Sequence, residues 1–401
     1  MKRTKVAAID VGTTKVCTIM ADADGDGLPR ILGVGIVPSH GMQRGVVVNF
    51  GEARQSIRES VRKAEQVAGY KLESAYVGVT GRHISSVNNR GVIAITRDDQ
   101  MVRPKDLNRV LEVARSVKVP DDRELLHVIP RTYAVDGQEG VKSPVGMHGF
   151  RLDVETHIIT GAVASVQNLA KCIRSAGVVI DDLVLEPLAS AEAILTEEEK
   201  QNGVVLADIG GGTTDIAIFK DNSIYHTAVL PVAGYQISHD ISVGLDISFD
   251  LAEEMKKKYG NVFPDGGGES GPDEMLSANG HDVSYRELSE ITHMRVEELL
   301  RLIVLELPQS DYAKLVPSGL VLTGGTANLP GIAELGSEIT RLPVRVGTPL
   351  NLYGVSDVLN DPAYATSVGL LYWRGKNGVI QSWRSNSGLR RFMSRIFRLF
   401  R

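Results

Sequence analysis

Cysteine is nearly absent. Cys17 and Cys172 are the only two in 401 residues, too few and too far apart for a disulfide framework or a thiolate metal site. A reducing, cytosolic setting is therefore expected. Long apolar runs are missing as well. No stretch approaches the roughly 20 apolar residues a membrane-spanning helix needs, and the run Val6–Ile9 behind the basic start Met1–Lys5 is too short for a signal peptide. Positive charge is scarce outside one place. The net charge is −5, and residues 388–401 hold five arginines and no acid, so subtracting those five leaves −10 on the rest of the chain. An acidic body is a poor nucleic-acid binder, and a basic tip on it calls for a partner of its own. The length permits a large core divided into two or more domains.

Glycine, by contrast, is placed with purpose. Val204–Ala207 and Ile216–Phe219 are short apolar runs that read as buried strands, with Asp208-Ile209-Gly210-Gly211-Gly212-Thr213-Thr214-Asp215 between them. Three glycines and two threonines in a tight turn bring backbone N–H groups and hydroxyls close to an oxyanion without obstruction by Cβ atoms. Asp208 at the strand end suits a hydrated Mg²⁺ shared with phosphates. An ordinary glycine-rich hairpin has the same composition, but the design recurs. Val6–Asp10 is an apolar strand ending in an acid, Gly12-Thr13-Thr14 follows, and Lys15–Ile19 continues. Two copies about 200 residues apart predict similar halves facing each other across a cleft. A triphosphate between them would meet Asp10 and Asp208 through the metal, and Lys15 as a point charge.

These turns resemble the phosphate loops of the actin, DnaK-type chaperone and sugar kinase superfamily. A third stretch, Gly319–Gly331, reads as strand, glycine turn and a helix opened by Pro330. It resembles the superfamily's adenosine motif, which implies that Gly324, Gly325, Thr326 and Asn328 lie against base and ribose. The implied fold is α/β: an actin-like two-domain ATPase fold of duplicated ribonuclease H-like cores, with a small inserted subdomain in each half. Glu186-Pro-Leu-Ala-Ser-Ala191 resembles the first connecting segment. Glu186 either orients the water that attacks the γ-phosphate or caps its helix, where the dipole favours an acid.

The expected organisation follows the chain. Residues 1–83 form the first core, with strands at Ile31–Val37, Gly45–Asn49 and Ala75–Thr80 and a helix from Gly51 to Gly69. Residues 84–160 form an insertion with a helix at Lys105–Lys118. Residues 161–195 return to the first core, a strand at Ile158–Ala164 leading in. Residues 196–222 open the second core, 223–307 are a second insertion, 308–362 resume the core, and 363–374 are a closing helix. The helix at Leu251–Gly260 resembles those that set an acid and a lysine on the adenosine in bacterial actins, so Glu253 and Lys256 are candidates. A solvated charged face is the alternative.

Residues 375–387 read as a polar linker, and 388–401 as an amphipathic helix. At about 100° per residue, Leu389, Phe392, Met393, Ile396, Phe397, Leu399 and Phe400 share one half-turn, and Arg390, Arg391, Arg395, Arg398 and Arg401 fill the other. That is the pattern of a helix in a membrane interface with arginines at anionic headgroups. A core-docked helix or a calmodulin-type target are the competing readings.

The whole set resembles one family, FtsA, the bacterial divisome actin homologue. The stretches that carry the likeness are Arg131-Thr-Tyr133, Val141–Met147, His157–Gly161, Glu186–Ser190, Asp208–Asp215, Val321–Gly325 and the tail. The resemblance implies binding of ATP and Mg²⁺, actin-like protofilaments made with other copies, and slow or absent hydrolysis. It also implies tethering of the FtsZ C-terminal tail, and contact with other divisome proteins, on the cytoplasmic face of the membrane at the septum. Residues 84–160 would be the family's 1C-type subdomain. The second insertion would meet FtsZ, with Arg295 and Arg301 as contacts, although Glu298 and Glu297 stand at pairing distance along the same helix. The alternative is a PilM-like cytosolic adaptor, which would not need the arginine–phenylalanine tail.

Overall fold

The computed structural model describes residues 4–24, 28–264, 274–278, 281–308, 312–355, 357–376 and 381–382. The amphipathic segment 388–401 and most of the expected linker lie outside them. No helix among the described residues is long and apolar enough to cross a membrane.

The first half opens with β1 (Thr4–Val11), β2 (Lys15–Ala23) and β3 (Arg30–Pro38). Most of β1 and β2 is buried whichever way its side chains alternate, so both faces of the sheet are covered. A small hairpin of β4 (Met42–Gln43) and β5 (Val46–Val47) follows, then α1 (Phe50–Ala68) and β6 (Ser74–Val79). Asn49 caps α1 by accepting from the N–H groups of Gly51 and Glu52, and Ile57, Val61 and Ala64 supply its buried stripe. The strand expected at Gly45–Asn49 is thus only Val46–Val47, because Asn49 is already committed to the helix.

The insertion comprises β7 (Ser85–Ala94), α2 (Pro104–Arg115), β8 (Arg123–Val135), β9 (Gln138–Val141) and β10 (Arg151–Ala162). Val110, Leu111 and Ala114 of α2 cover Ile93, Val135, Leu152 and Val154 in a small core of their own. The strand expected at Ile158–Ala164 is the end of β10, which stays paired with β7 and β8 in the inserted sheet. The chain then returns through α3 (Val163–Ser175), β11 (Val179–Leu185) and α4 (Glu186–Ile194).

In the second half, α5 (Glu197–Asn202) leads into β12 (Val204–Ile209), β13 (Thr214–Lys220) and β14 (Ser223–Leu230). Next come α6 (Gly234–Gly244), α7 (Phe249–Tyr259), a hairpin of β15 (Met275–Ala278) and β16 (His281–Ser284), and α8 (Tyr285–Leu305). The core resumes with α9 (Tyr312–Leu315), β17 (Leu320–Thr323), α10 (Ile332–Thr340) and β18 (Val344–Val346). Helix α10 begins at Ile332 with Gly331 at its cap, so Pro330 precedes the helix rather than opening it. Finally β19 (Tyr353–Gly354) joins β3, α11 (Ala365–Tyr372) crosses α4, and β20 (Gln381–Ser382) pairs with β8.

Sheet order shows the duplication directly. The first sheet runs β11-β6-β1-β2-β3-β19 and the second β14-β13-β12-β17-β18. In each, the first three strands of the half are antiparallel neighbours, and two later strands add in parallel beside the first. Ser223–Leu230, expected to begin the second insertion, is therefore the third strand of the second core.

The inserted sheet also docks on the second half. Buried His157 of β10 bonds Asn88 at 2.7 Å through Nδ1 and the Thr227 hydroxyl of β14 at 2.9 Å through Nε2. Burial pushes its pKa down to about 3, so this bridge is uncharged.

Candidate functional site

The two turns read from the sequence are the same structure made twice. Gly12 N–H donates to Lys15 O at 3.0 Å, and Gly210 N–H to Thr213 O at 2.9 Å, each closing the turn between the first two strands of its half. Asp10 and Asp208 are the penultimate residues of β1 and β12. The turn tips meet: a Cβ on Gly211 would fall 2.4 Å from Thr14 Cγ2, and one on Gly212 2.5 Å from Thr13 Oγ1.

Both aspartates are nearly buried, and both are held by hydroxyls from the connecting helices. Ser367 Oγ of α11 donates to Asp10 Oδ2 at 2.7 Å. Asp208 Oδ2 accepts from Thr366 Oγ1 of α11 at 2.9 Å and from Ser190 Oγ of α4 at 2.6 Å. Burial raises both pKa values, against the opposing pull of these hydroxyls and of Lys15. Asp215 accepts from Thr213 Oγ1 at 3.0 Å and from Thr80 Oγ1, just beyond β6, which links the halves. Burial pushes Asp215 up to about 7, despite the Thr80 bond. Glu186 begins α4 beside Gly78. Burial lifts its pKa well above the carboxylate range, and Asp10, Asp215 and Asp208 lift it further.

Four carboxylates thus share this region with one nearby lysine. Lys15 Nζ donates to Ala363 O at 2.5 Å and stands 4.9 Å from the Tyr364 ring centre. Such a site favours the arrival of positive charge. Among the described residues no three His, Cys, Asp or Glu side chains converge as a metal cage. Asp10 and Asp208 fit the other kind of site, where one or two carboxylates reach Mg²⁺ largely through water.

The adenosine-side candidates join the second turn. Gly324 has φ +84°, and a Cβ there would lie 2.5 Å from both Asp208 Oδ1 and Ile209 O, so only glycine fits. Thr326 Oγ1 donates to Gly210 O at 2.9 Å. Lys256 Nζ donates to Gly234 O at 3.1 Å and to Ser238 Oγ at 2.8 Å, and pairs with Glu253 at 2.7 Å. Burial opposes the charge on Glu253, but Lys256, Ser238 and Lys257 outweigh it and lower the pKa. Burial lowers that of Lys256, with Glu253 resisting. Gly325 opens the short 3-10 turn that ends at Asn328. Asn328 Nδ2 donates to Asp361 Oδ1 at 2.9 Å, and the same oxygen accepts from Ala363 N–H, whose residue holds Lys15.

Arg295 and Arg301 lie apart from this constellation, on α8. Arg295 Nε donates to Asp240 Oδ2 at 2.5 Å and also pairs with Glu298, and Arg301 Nη2 donates to Glu297 Oε1 at 2.6 Å. Both intrahelical pairs are formed. Sequence reasoning passed over Thr80, Ser190, Thr366, Ser367 and the role of Asp215. Ser190, Thr366 and Ser367 did carry a signal: polar residues inside short apolar helices need buried partners. Thr80 carried none, its partner being 135 residues away.

Two halves that share a five-strand order, facing turns and paired buried aspartates define an actin-like ATPase fold. Solved structures agree. The chain superimposes on a PilM-PilN type IV pilus biogenesis complex chain with TM-score 0.67 at 16% identity, over 93% of this chain and 99% of that one. For MreB5 of Spiroplasma citri bound to ADP the values are 0.55, 14%, 93% and 99%. At such identities the likeness speaks of fold alone. The family model "Cell division protein FtsA" matches residues 205–369, and "SHS2 domain inserted in FTSA" matches 81–160. The cell division protein FtsA of Pseudomonas aeruginosa is 43% identical over 371 residues, 92% of this chain and 88% of that protein. This chain belongs to the FtsA family of cell-division proteins.

Proposed function

We propose that the chain binds ATP between its halves, assembles into actin-like filaments and anchors the FtsZ C-terminal tail to the cytoplasmic membrane at the septum. The observation that carries the nucleotide part is the pair of facing turns whose buried aspartates are both tied to α11. On this reading Gly12–Lys15 and Gly210–Thr214 cradle the phosphates. Glu253, Lys256, Gly324, Gly325, Thr326 and Asn328 border the adenosine. Asp10 and Asp208 hold Mg²⁺ through water, and the ion supplies charge neutralisation at the phosphates. Glu186, at the start of α4 among Asp10, Asp208 and Asp215, would orient the attacking water, and the expected behaviour is that of a switch with slow or no turnover.

The membrane role rests on the amphipathic pattern of residues 388–401, and the FtsZ role on family membership. Arg295 and Arg301 would have to leave carboxylate partners to meet FtsZ, so charge exchange with an acidic tail is the expected mode there. A PilM-like adaptor is the second reading, and it makes a different prediction at the bilayer. The test is co-sedimentation with anionic liposomes, at low and high salt, with and without MgATP. It compares the full chain with one ending at Ser382. Pelleting of the full chain alone, released by salt and promoted by MgATP, supports the anchored filament. Equal behaviour of the two chains points to the adaptor.

A further inference from the structure

Away from the nucleotide cleft, the outer face of α1 borders a groove of about 780 Å³, closed on its other side by Lys71–Leu72 and the Ala176–Gly177 turn. Arg54, Arg58 and Arg62 line it, each exposed, at successive four-residue steps. The acids of this wall are already engaged. Glu59 faces Lys63 at 3.6 Å, and Glu65 pairs with Lys71 at 2.6 Å while accepting from Leu72 N–H at 2.9 Å. Among the described residues no carboxylate pairs with Arg54, Arg58 or Arg62. Three uncompensated arginines in one concavity stand out on a body that is otherwise acidic.

Spacing narrows what would fit. Four residues of helix advance about 6 Å, close to the roughly 6.6 Å between alternate residues of an extended chain. An extended peptide lying along α1 would therefore offer a carboxylate to each arginine in turn. Its intervening side chains would face away from the arginine row. Arginine's planar fork suits such carboxylates in a bidentate fashion. A bilayer matches less well, since a flat headgroup plane meets the rims of a groove rather than its wall.

We propose that this groove docks an extended acidic peptide segment of a partner protein, one with carboxylates at alternate positions. The site is distinct from the FtsZ-tail contact on α8 and from the tail helix.

The probe is a fluorescein-labelled heptapeptide, Thr-Glu-Val-Glu-Val-Glu-Thr, titrated with the full-length chain and followed by anisotropy at two salt concentrations. A glutamine-for-glutamate version is the control. The variant is Arg54→Gln/Arg58→Gln/Arg62→Gln, which keeps helix propensity and touches no buried contact; its melting temperature checks folding. Expected are saturable binding of the glutamate peptide alone, weakening with salt, and a loss of about tenfold or more in the triple variant. Equal binding to both chains, or no binding of the peptide, overturns the proposal. If the peptide fails while the triple variant loses affinity for phosphatidylglycerol vesicles, the arginines face the membrane and the peptide site is rejected. If it fails while self-association changes, they serve contact between copies, and the peptide site is again rejected.

Discussion

Asp215 lies under the hydroxyls of Thr80 and Thr213, where Asp10, Asp208 and Glu186 already crowd one lysine. Its carboxyl moves from the ordinary 3.8 to about 7 on folding, burial being the main cause. Between those values the folded chain holds a proton that the unfolded chain has lost. Stability from this group is therefore highest below about 4, falls as pH rises toward 7, and is level above. Asp215→Asn retains an oxygen for Thr80 and removes the charge. In nucleotide-free protein it should raise the melting temperature at pH 8, by an increment that shrinks toward pH 5. Thermal unfolding across that range checks it, and an increment independent of pH would mean that Asp215 is ionised throughout. The residue itself was legible in the turn motif. Its partner was not, because a lone threonine at a strand end looks like any other until the fold brings 80 and 215 together.

At the scale of elements, the crossing of α4 and α11 is the closest approach near the site. A Cβ on Gly369 would sit 1.8 Å from Ala189 O, a backbone atom that cannot swing aside. Gly369→Ala should therefore force the helices apart at a cost of about 3 kcal/mol or more, seen as a lower denaturation midpoint and weaker MgATP binding together. A variant of unchanged stability would mean that the crossing is looser than this. The small residues of the two helices were readable in sequence, as were the strand–turn–strand units, because their signals are local: an apolar run, an acid, a glycine cluster. Membership of a sheet was less so. β14 carries the same kind of pattern as an inserted strand, although only Asp221 and Asn222 separate it from β13. What assigns it to the second core is its pairing with β13, and pairing partners leave little trace in one sequence. The strand expected at Gly45–Asn49 is shortened to Val46–Val47 for a different reason: the capping demand of α1 took Asn49 from the strand that its valines suggested.

The whole molecule turns on two adjacent side chains of α11. Thr366 reaches Asp208 of the second half, and Ser367 reaches Asp10 of the first. Any rotation of one half against the other about the α4–α11 crossing alters both contacts at once, so the geometry around the two aspartates and the angle between the halves are set by the same turn of helix. If ATP and Mg²⁺ bind as proposed, each hydroxyl should matter in proportion to one hydrogen bond to a charged group, about 1.5 kcal/mol. Thr366→Val and Ser367→Ala should then each weaken MgATP binding roughly tenfold. The double variant should lose less than the product of the two, with a coupling of about 0.5 kcal/mol or more, because a single closed arrangement serves both carboxylates. Calorimetric titration of the four proteins decides it. Additive losses would show that the two aspartates are positioned independently, and that α11 only spans the halves without coupling them. A coupled result would make the helix the part through which an ion at the site reports to the relative orientation of the halves, on which the proposed filament contacts would depend.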